Sequence, residues 1–592
     1  MIIPKKTMVE NFIESVDEFN KEKHILRKKG KKYVSVSTKQ FRRDVIRLAI
    51  GLKQIGVKQG DKVNIIGETS YEWLVTDLAI LSVGAITVPI YPTLPADQTL
   101  YIINDSESTT IFYSSKAQWE KIKTIKGDIK KVKHFISFID EIPSEEILTL
   151  SGLKELGGER SEEEYYDFIK QIDPDDLATI IYTSGTTGLP KGAMLTHYNI
   201  FSNTYVTTEI MDISEKDTCF SFLPLSHILE RMVTQVYVRT GATIAYAESI
   251  EKVAKNITEV KPTIMVSVPR LFERVYTRIM DKALSGSPSK KKIFLWALSV
   301  GDKKLKTDME RKKSPLSLKL KYNLADKLVF GKAKHALGGN FRFFISGGAA
   351  LPKKVGEFFY KIGIPIREGY GLTETSPVIA VNTPKDFKVG TVGKPIPGEE
   401  VKIAEDGEIL AKGPNIMTGY YKKEEETKEV FTEDGWFKTG DIGFIDEEGF
   451  LVITDRKKAI IVTLGGKNVA PQPIENRIKQ NPFISNVVVI GNERKYLSAL
   501  IIPEFDKIDE IGAVLGKKFK GRDDFVDDKD VQKFFLREVK KMVPDLADFE
   551  VIKRVGLLKE DFSIDGGELT PTLKVKRTFV EKKYKKIIDA LY

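Results

Sequence analysis

The sequence predicts an α/β protein with a large N-terminal part, a small β unit and a smaller α+β C-terminal part. Three observations predict it. The first part alternates helix-period and buried-strand patterns, which argues for a parallel sheet with helical crossovers. Between 388 and 446 the pattern shifts to short strands and turns, among them Gly390-Thr-Val-Gly and Asp434-Gly-Trp-Phe. After Asp455-Arg-Lys-Lys458 the remaining residues are of mixed α+β character.

Taken in order, residues 40–55 have helical apolar spacing, 63–66 read as a buried strand, 71–83 as helix and 85–90 as strand. The uncharged run 78–96 is long enough to cross a bilayer, but Gly84, Pro89, Pro92 and Pro95 break it, so no span is expected. Residues 151–166 are Gly/Glu-rich and read as an exposed loop. In the C-terminal part, 473–480 read as helix, 486–491 and 497–503 as strands, and 578–591 as a last helix. A domain boundary falls at 455–458, dividing 1–454 from 459–592.

Residues 281–335 stand apart, with fifteen Lys/Arg against five Asp/Glu around the apolar patch Ile293-Phe-Leu-Trp-Ala-Leu. We read them as a solvated helical insertion. The competing reading is a basic amphipathic segment that touches an anionic membrane.

Composition narrows the function classes. The 592 residues carry 93 Lys/Arg against 83 Asp/Glu, a net charge of +10, with 41% apolar and 30% charged residues. That excludes a disordered polyelectrolyte and gives no reason to expect a nucleic-acid partner. A single cysteine, Cys219, excludes an internal disulfide and any Cys-rich metal site. Together with an N-terminus lacking a signal-peptide core, it points to a reducing, cytoplasmic setting. His24, His134, His197, His227 and His335 are scattered and form no HExxH, so no histidine-based metal site is expected.

Three segments carry chemistry. Tyr182-Thr-Ser-Gly-Thr-Thr-Gly-Leu-Pro-Lys-Gly192 follows a strand-like 177–182. Its glycines let backbone N–H groups approach an anion, Thr183, Ser184, Thr186 and Thr187 offer hydroxyls, and Lys191 adds a point charge, which is phosphate-cradling chemistry. It is not a Walker A loop, because Pro190 and Gly192 stand where that motif needs glycine and a magnesium-holding hydroxyl. The second segment joins Ile345-Ser-Gly-Gly-Ala-Ala350 to Ile364-Pro-Ile-Arg-Glu-Gly-Tyr-Gly-Leu-Thr-Glu-Thr375. Ligands of open α/β sheets bind where strand ends meet such turns. There Tyr370 offers a face for a base, Thr373 a hydroxyl for phosphate and Glu374 an oxygen ligand for Mg²⁺. The third comprises Trp436-Phe-Lys-Thr-Gly-Asp441, Asp455-Arg456-Lys-Lys458 and Leu464-Gly-Gly-Lys-Asn-Val-Ala-Pro471. Asp441 after a tight glycine turn can accept both hydroxyls of a ribose, and Arg456 adds a planar donor.

With these motifs in this order, together with Leu223-Pro-Leu-Ser-His-Ile-Leu-Glu-Arg231 and Lys574, the chain resembles the AMP-forming, adenylate-forming acyl-CoA synthetases over essentially its whole length. Val268-Pro-Arg-Leu-Phe-Glu-Arg274, Gly413-Pro-Asn-Ile-Met-Thr-Gly-Tyr-Tyr421 and Glu568-Leu-Thr-Pro-Thr-Leu-Lys-Val-Lys-Arg577 are similar to its long-chain fatty acid branch. The resemblance implies stacked α/β subdomains plus a small β unit, hinged at Lys458 to a mobile C-terminal domain. It implies that ATP converts a long-chain fatty acid to an acyl-adenylate with release of pyrophosphate, after which coenzyme A displaces AMP.

Roles follow from the same resemblance. Thr183, Ser184, Gly185, Thr186, Thr187, Gly188 and Lys191 would hold the β and γ phosphates. Glu374 would bind Mg²⁺ and Thr373 would touch the α-phosphate. Tyr370 would stack on adenine, with Gly347, Glu368, Gly369 and Gly371 around the nucleotide. Asp441, helped by Arg456, would clamp the ribose. Lys574 would bridge the carboxylate and the α-phosphate oxygens, with Lys576 its rival in the same basic run. Rotation at Lys458 would withdraw Lys574 and bring Gly465, Gly466 and Lys467 to a coenzyme A channel. His227 is either near the carboxylate, gating the acyl pocket, or a buried histidine bonded to the backbone. The expected partners are fatty acid, ATP and coenzyme A. A homodimer and peripheral contact with the inner face of a membrane through 281–335 stay open. So do two other functions: an adenylate-former passing its acyl group to a carrier-bound phosphopantetheine (such as a fatty-acyl-AMP ligase), and a non-enzymatic membrane-associated binder.

Overall fold

The structure, a computed structural model of residues 1–592, describes every residue other than 142–146, 159–161, 184–188, 565 and 571–573; at Lys458 it describes the backbone alone. It is a mixed α/β molecule with a large N-terminal domain and a smaller C-terminal one.

Two large sheets build the N-terminal domain. In one, Ile86–Ile90, Lys62–Ile66, Thr110–Tyr113, His134–Ser137 and Ile147–Thr149 run parallel, and Leu177–Thr183 joins Ile86–Ile90 on the other side. The second centres on parallel Ile25–Lys29, Thr243–Tyr246, Thr218–Ser221, Ile264–Ser267, Phe343–Ser346 and Ile366–Gly371. Lys62–Ile66, Ile86–Ile90 and Phe343–Ser346 are almost wholly buried, which is why apolar residues dominate them on both faces rather than alternating with polar ones.

The helices Tyr71–Ser82 and Ile228–Arg239 share one core with both sheets: Trp73 and Leu74 pack with Met232, Val236, Ile65 and Ile264. A helix apolar on nearly every side belongs in such a place. Their contact also buries an ion pair. Arg231 donates from Nε to Asp77 Oδ2 at 2.8 Å and from a terminal nitrogen to Oδ1 at 2.6 Å, and Thr87 Oγ1 donates to the same carboxylate at 2.7 Å. Removing one partner of such a pair strands a buried charge, at a cost of about 3–5 kcal/mol.

The expected loop at 151–166 is corrected by the structure, which has helices Leu150–Gly158 and Glu162–Ile169 there. Leu150, Leu153, Tyr165 and Phe168 are their buried positions. The glycines that signalled a loop permit close helix contact instead. A Cβ on Gly157 would lie 1.8 Å from the Arg47 carbonyl oxygen, and one on Gly51 2.2 Å from that of Leu153.

The antiparallel strands Glu400–Ile403, Glu408–Lys412, Phe437–Ile445 and Leu451–Arg456 form the small β unit. Beyond it, Ile484–Ile490, Leu497–Pro503 and Ile552–Leu557 make a three-stranded sheet covered by the helices Pro471–Ile478 and Lys529–Met542. The expected last helix is two short ones, Arg577–Lys583 and Lys585–Asp589. Among the described residues no helix is long and apolar enough to cross a membrane.

Candidate active site

Thr183 and Lys191 are cross-strand partners at the end of the antiparallel pair Leu177–Thr183 and Lys191–Thr196, and the Thr183 hydroxyl donates to the Lys191 carbonyl at 3.4 Å. Ser184, Gly185, Thr186, Thr187 and Gly188 lie outside the described residues. Gly419–Tyr420 pairs with Lys191–Thr196, setting the Tyr420 ring 5.4 Å from the Lys191 ammonium. The Tyr420 hydroxyl donates to Glu374 Oε1 at 2.8 Å, and the Met417 N–H donates to the Glu374 carbonyl at 2.8 Å. The second and first motifs are thus tied through a tyrosine that sequence reasoning missed. Its signal was there, in the two tyrosines closing the run 413–421.

The strand Ile366–Gly371 carries Tyr370 to the same place. Gly371 has no alternative, since a Cβ there would sit 1.6 Å from the Pro377 carbonyl oxygen as the chain turns through Thr373–Thr375. Asn415 Nδ2 holds that turn by donating to the Thr375 carbonyl at 2.8 Å. Gly347 neighbours both Leu229 and Gly369: a Cβ on it would lie 2.9 Å from a Leu229 methyl and 4.0 Å from the Gly369 carbonyl oxygen. Glu368 turns its buried carboxyl to the backbone N–H groups of Gly390 and Leu351, and burial pushes it up to about 8.

Asp441 and Arg456 face each other across the small β unit, in register on Phe437–Ile445 and Leu451–Arg456. Arg456 Nε is 3.1 Å from Asp441 Oδ1, and the Tyr370 hydroxyl donates to Oδ2 at 2.8 Å. The Asp441 N–H donates to Thr439 Oγ1 at 3.1 Å, and the Thr439 hydroxyl donates to the Ile409 carbonyl at 2.8 Å, so the buried carboxylate is held at both ends.

Lys574 enters this setting from the C-terminal domain. Its N–H donates to Thr570 Oγ1 at 3.0 Å, the Thr570 N–H donates to its carbonyl at 2.8 Å, and Leu569 bridges Val575. Its ammonium is pushed down to about 8, first by loss of bulk water, then by Arg456, against the opposing pull of Asp441 and Glu374. By accessible surface the residue is exposed, so it lines a crowded cleft within reach of water and is not sealed in an interior. Lys576 lies at the start of the helix Arg577–Lys583, where its N–H donates to the Glu568 carbonyl at 2.8 Å. Arg577 anchors this stretch to the domain through Glu475 and the Val489 carbonyl.

His227 caps the helix Ile228–Arg239, its Nδ1 accepting the Leu229 N–H at 3.1 Å, with the Tyr91 ring 6.5 Å away. Burial pushes it down to about 4, and Lys574 adds to the depression. Of the two sequence readings, the bond to the backbone is present in the structure, and the ring also feels the charge of Lys574. With Nδ1 accepting, Nε2 carries the proton of the neutral ring. In the same motif Glu230 and Arg231 are structural, Glu230 accepting from the Ser221 hydroxyl at 2.5 Å.

Gly465, Gly466 and Lys467 are not brought to this cleft. They form the turn between Ile461–Val462 and Asn468–Val469, closed by the Gly466 N–H to the Thr463 carbonyl at 2.8 Å, with the Lys467 ammonium 5.9 Å from the Phe549 ring. Lys458 follows the strand Leu451–Arg456 in the short helical turn Lys457–Ala459.

A sequence model described as AMP-binding enzyme matches residues 12–421, and one described as AMP-binding enzyme C-terminal domain matches 458–592. The chain is 38% identical over 557 residues to the long-chain-fatty-acid–CoA ligase FadD15 of Mycobacterium bovis, covering 92% of this chain and 90% of that one. It is 31% identical to the human long-chain-fatty-acid–CoA ligase ACSBG2, covering 99% and 92%. Among solved structures, the adenylation domain of a carboxylate reductase from Mycobacterium chelonae superposes with a TM-score of 0.78 at 20% identity, covering 100% of this chain and 91% of that one. The anthranilate CoA ligase AuaEII in complex with anthranoyl-AMP superposes with a TM-score of 0.73 at 19% identity, covering 99% of both.

Proposed function

The chain belongs to the AMP-binding enzyme family, and from that membership we propose that it is an ATP-dependent long-chain fatty acid–CoA ligase. It joins a fatty acid to AMP with release of pyrophosphate, then passes the acyl group to coenzyme A. The observation that carries the reading is the convergence of Lys574 with Asp441, Arg456 and Glu374.

The chemical problem of the first half is negative charge. A fatty carboxylate oxygen attacks the α-phosphorus, its lone pair forms the new P–O bond, and the bond to pyrophosphate breaks with its electron pair leaving on pyrophosphate. Lys574 neutralises the oxygens of both reactants as they close, which is electrostatic catalysis without a protein nucleophile. Lys191 and the threonine-rich loop hold the departing phosphates, and Thr373 contacts the α-phosphate. Tyr370 and the backbone of Gly347, Glu368, Gly369 and Gly371 bind the base, and Asp441 takes the ribose hydroxyls while Arg456 steadies it. The neutral His227, donating from Nε2, orients the carboxylate.

Glu374 suits a magnesium ion. One of its oxygens accepts from Tyr420, and the carboxylate keeps lone pairs for a cation. Among the described residues no cluster of three His, Cys, Asp or Glu side chains could hold a metal, so such an ion would need further ligands from the nucleotide and water, as Mg²⁺ commonly takes. Bound there, it would neutralise phosphate charge.

In the second half the coenzyme A thiolate attacks the acyl carbon, a C–S bond forms, and AMP leaves with the electrons of the broken C–O bond. Rotation at Lys458 exchanges Lys574 for the Gly465-Gly466-Lys467 turn between the halves, a closure in which a few hinge residues absorb the change.

The test is a series of fatty acids of increasing chain length, scored for thioester with ATP, Mg²⁺ and coenzyme A. The reading expects yield to peak among long chains. Thioester from short acids or aryl acids alone would refute the substrate class.

A further inference from the structure

We propose that the helical insertion 288–336 is a docking face for an anionic lipid bilayer. The expected solvated, basic insertion is only half of what the structure contains. The helix Leu316–Ala325 is apolar on two opposite sides. Leu318, Tyr322 and Ala325 pack inward with Phe330. Leu316, Leu320 and Leu324, four residues apart, and Leu328 one step further are 73%, 63%, 49% and 44% exposed. Spacing of four residues puts them in one stripe on the outer side. The preceding helix Pro288–Met309 exposes Ile293, Leu295 and Trp296 directly after Lys290, Lys291 and Lys292. A contiguous apolar stripe rimmed by polar residues marks an interaction surface.

Charge selects the occupant. The ten-charge excess of basic residues in 281–335 equals the net charge of the whole chain, so the remainder is balanced. Among the described residues no carboxylate lies within salt-bridge reach of Lys319, Lys321 or Lys327, which flank the leucine stripe and are exposed. A second copy of this face would oppose like charges. An anionic bilayer pairs headgroups with the lysines while the leucines enter the acyl region, and the lysine stems can extend along the apolar surface to reach the headgroups. The inference goes beyond the proposed activity and is read without ATP or coenzyme A, so its failure leaves that activity untouched.

The experiment is flotation of the purified chain with vesicles of phosphatidylcholine alone and of phosphatidylcholine and phosphatidylglycerol in equal parts. The expected result is association with the anionic vesicles that weakens with salt. Leu316→Ser/Leu320→Ser/Leu324→Ser, and separately Lys319→Gln/Lys321→Gln/Lys327→Gln, should lower partitioning about tenfold or more. Both variants should keep the soluble chain's circular dichroism. Failure of the unaltered chain to float with anionic vesicles, or equal flotation of the leucine variant, overturns the proposal. So does a dimer in sedimentation that the leucine variant converts to monomer, because the stripe would then be a self-interface.

Discussion

The Tyr370 hydroxyl donates to Asp441 Oδ2 at 2.8 Å, joining the last parallel strand of the second sheet to the small β unit. With Arg456 on the other oxygen, both Asp441 oxygens have a protein partner, yet each keeps a lone pair for one more donor. The bond also fixes the tilt of the Tyr370 ring.

Tyr370→Phe keeps the ring and removes this donor. We expect the KM for ATP to rise about tenfold with kcat changed less, the loss of one hydrogen bond to a charged group. An unchanged KM in steady-state kinetics would mean that the bond does not position Asp441 for nucleotide.

Lys574→Ala should slow adenylation by about a hundredfold or more, the scale of losing one charge-stabilising donor, while conversion of supplied acyl-AMP to thioester stays within a few-fold. Lys576→Ala should be near unaltered in both, since Arg577, not Lys576, ties this stretch to Glu475. Separate single-turnover assays of the two halves decide between the lysines. The reverse pattern would move the role to Lys576.

The charge of Lys574 should set an alkaline limit on adenylation. Its folded-state pKa is lowered, so the ammonium is present below about 8 and lost as pH rises through that value. Hence kcat/KM for adenylation should fall above about 8, well before an ordinary lysine would titrate. Lys574→Arg should remove that limb, because a guanidinium stays charged. The neutral His227, held down to about 4, adds no limb near neutrality. A pH profile identical in Lys574→Arg would sink the assignment.

Gly466 has φ +72° and nothing within 4 Å of where a Cβ would be. Gly466→Leu therefore meets backbone strain of about 1–2 kcal/mol without a clash. Stopped-flow assays should find adenylation intact and thioester formation slowed about tenfold or more if this turn borders the pantetheine path. Gly466→Asn, which tolerates the left-handed conformation better, separates strain from bulk. A block in adenylation instead would contradict the rotation.

The strands 62–66, 86–90 and 177–183 were legible because burial on both faces leaves short, mainly apolar and β-branched runs, interrupted only by the buried Asn64, Thr87 and Thr179 and by residues at the strand ends. The helices Leu150–Gly158 and Glu162–Ile169 were not, because Gly157 and Gly158 look alike in a loop and in a tight helix contact until the Arg47 backbone is known to lie against the first and the Arg47 guanidinium against the second. In the site, Tyr370, Asp441, Glu374 and Lys574 stood out because their chemistry sits in local motifs. Tyr420 did not, since its meaning depends on Glu374, 46 residues away in sequence. The outer leucines of 316–328 were read as part of a solvated segment because composition averages over faces that only packing distinguishes.

The most direct measurement is fatty-acid-dependent pyrophosphate release, followed with and without coenzyme A while thioester is quantified in the same samples. The account predicts release that requires the fatty acid, and acyl-CoA together with AMP only when coenzyme A is present. Pyrophosphate release without thioester in the presence of coenzyme A, or no release at all, would contradict it.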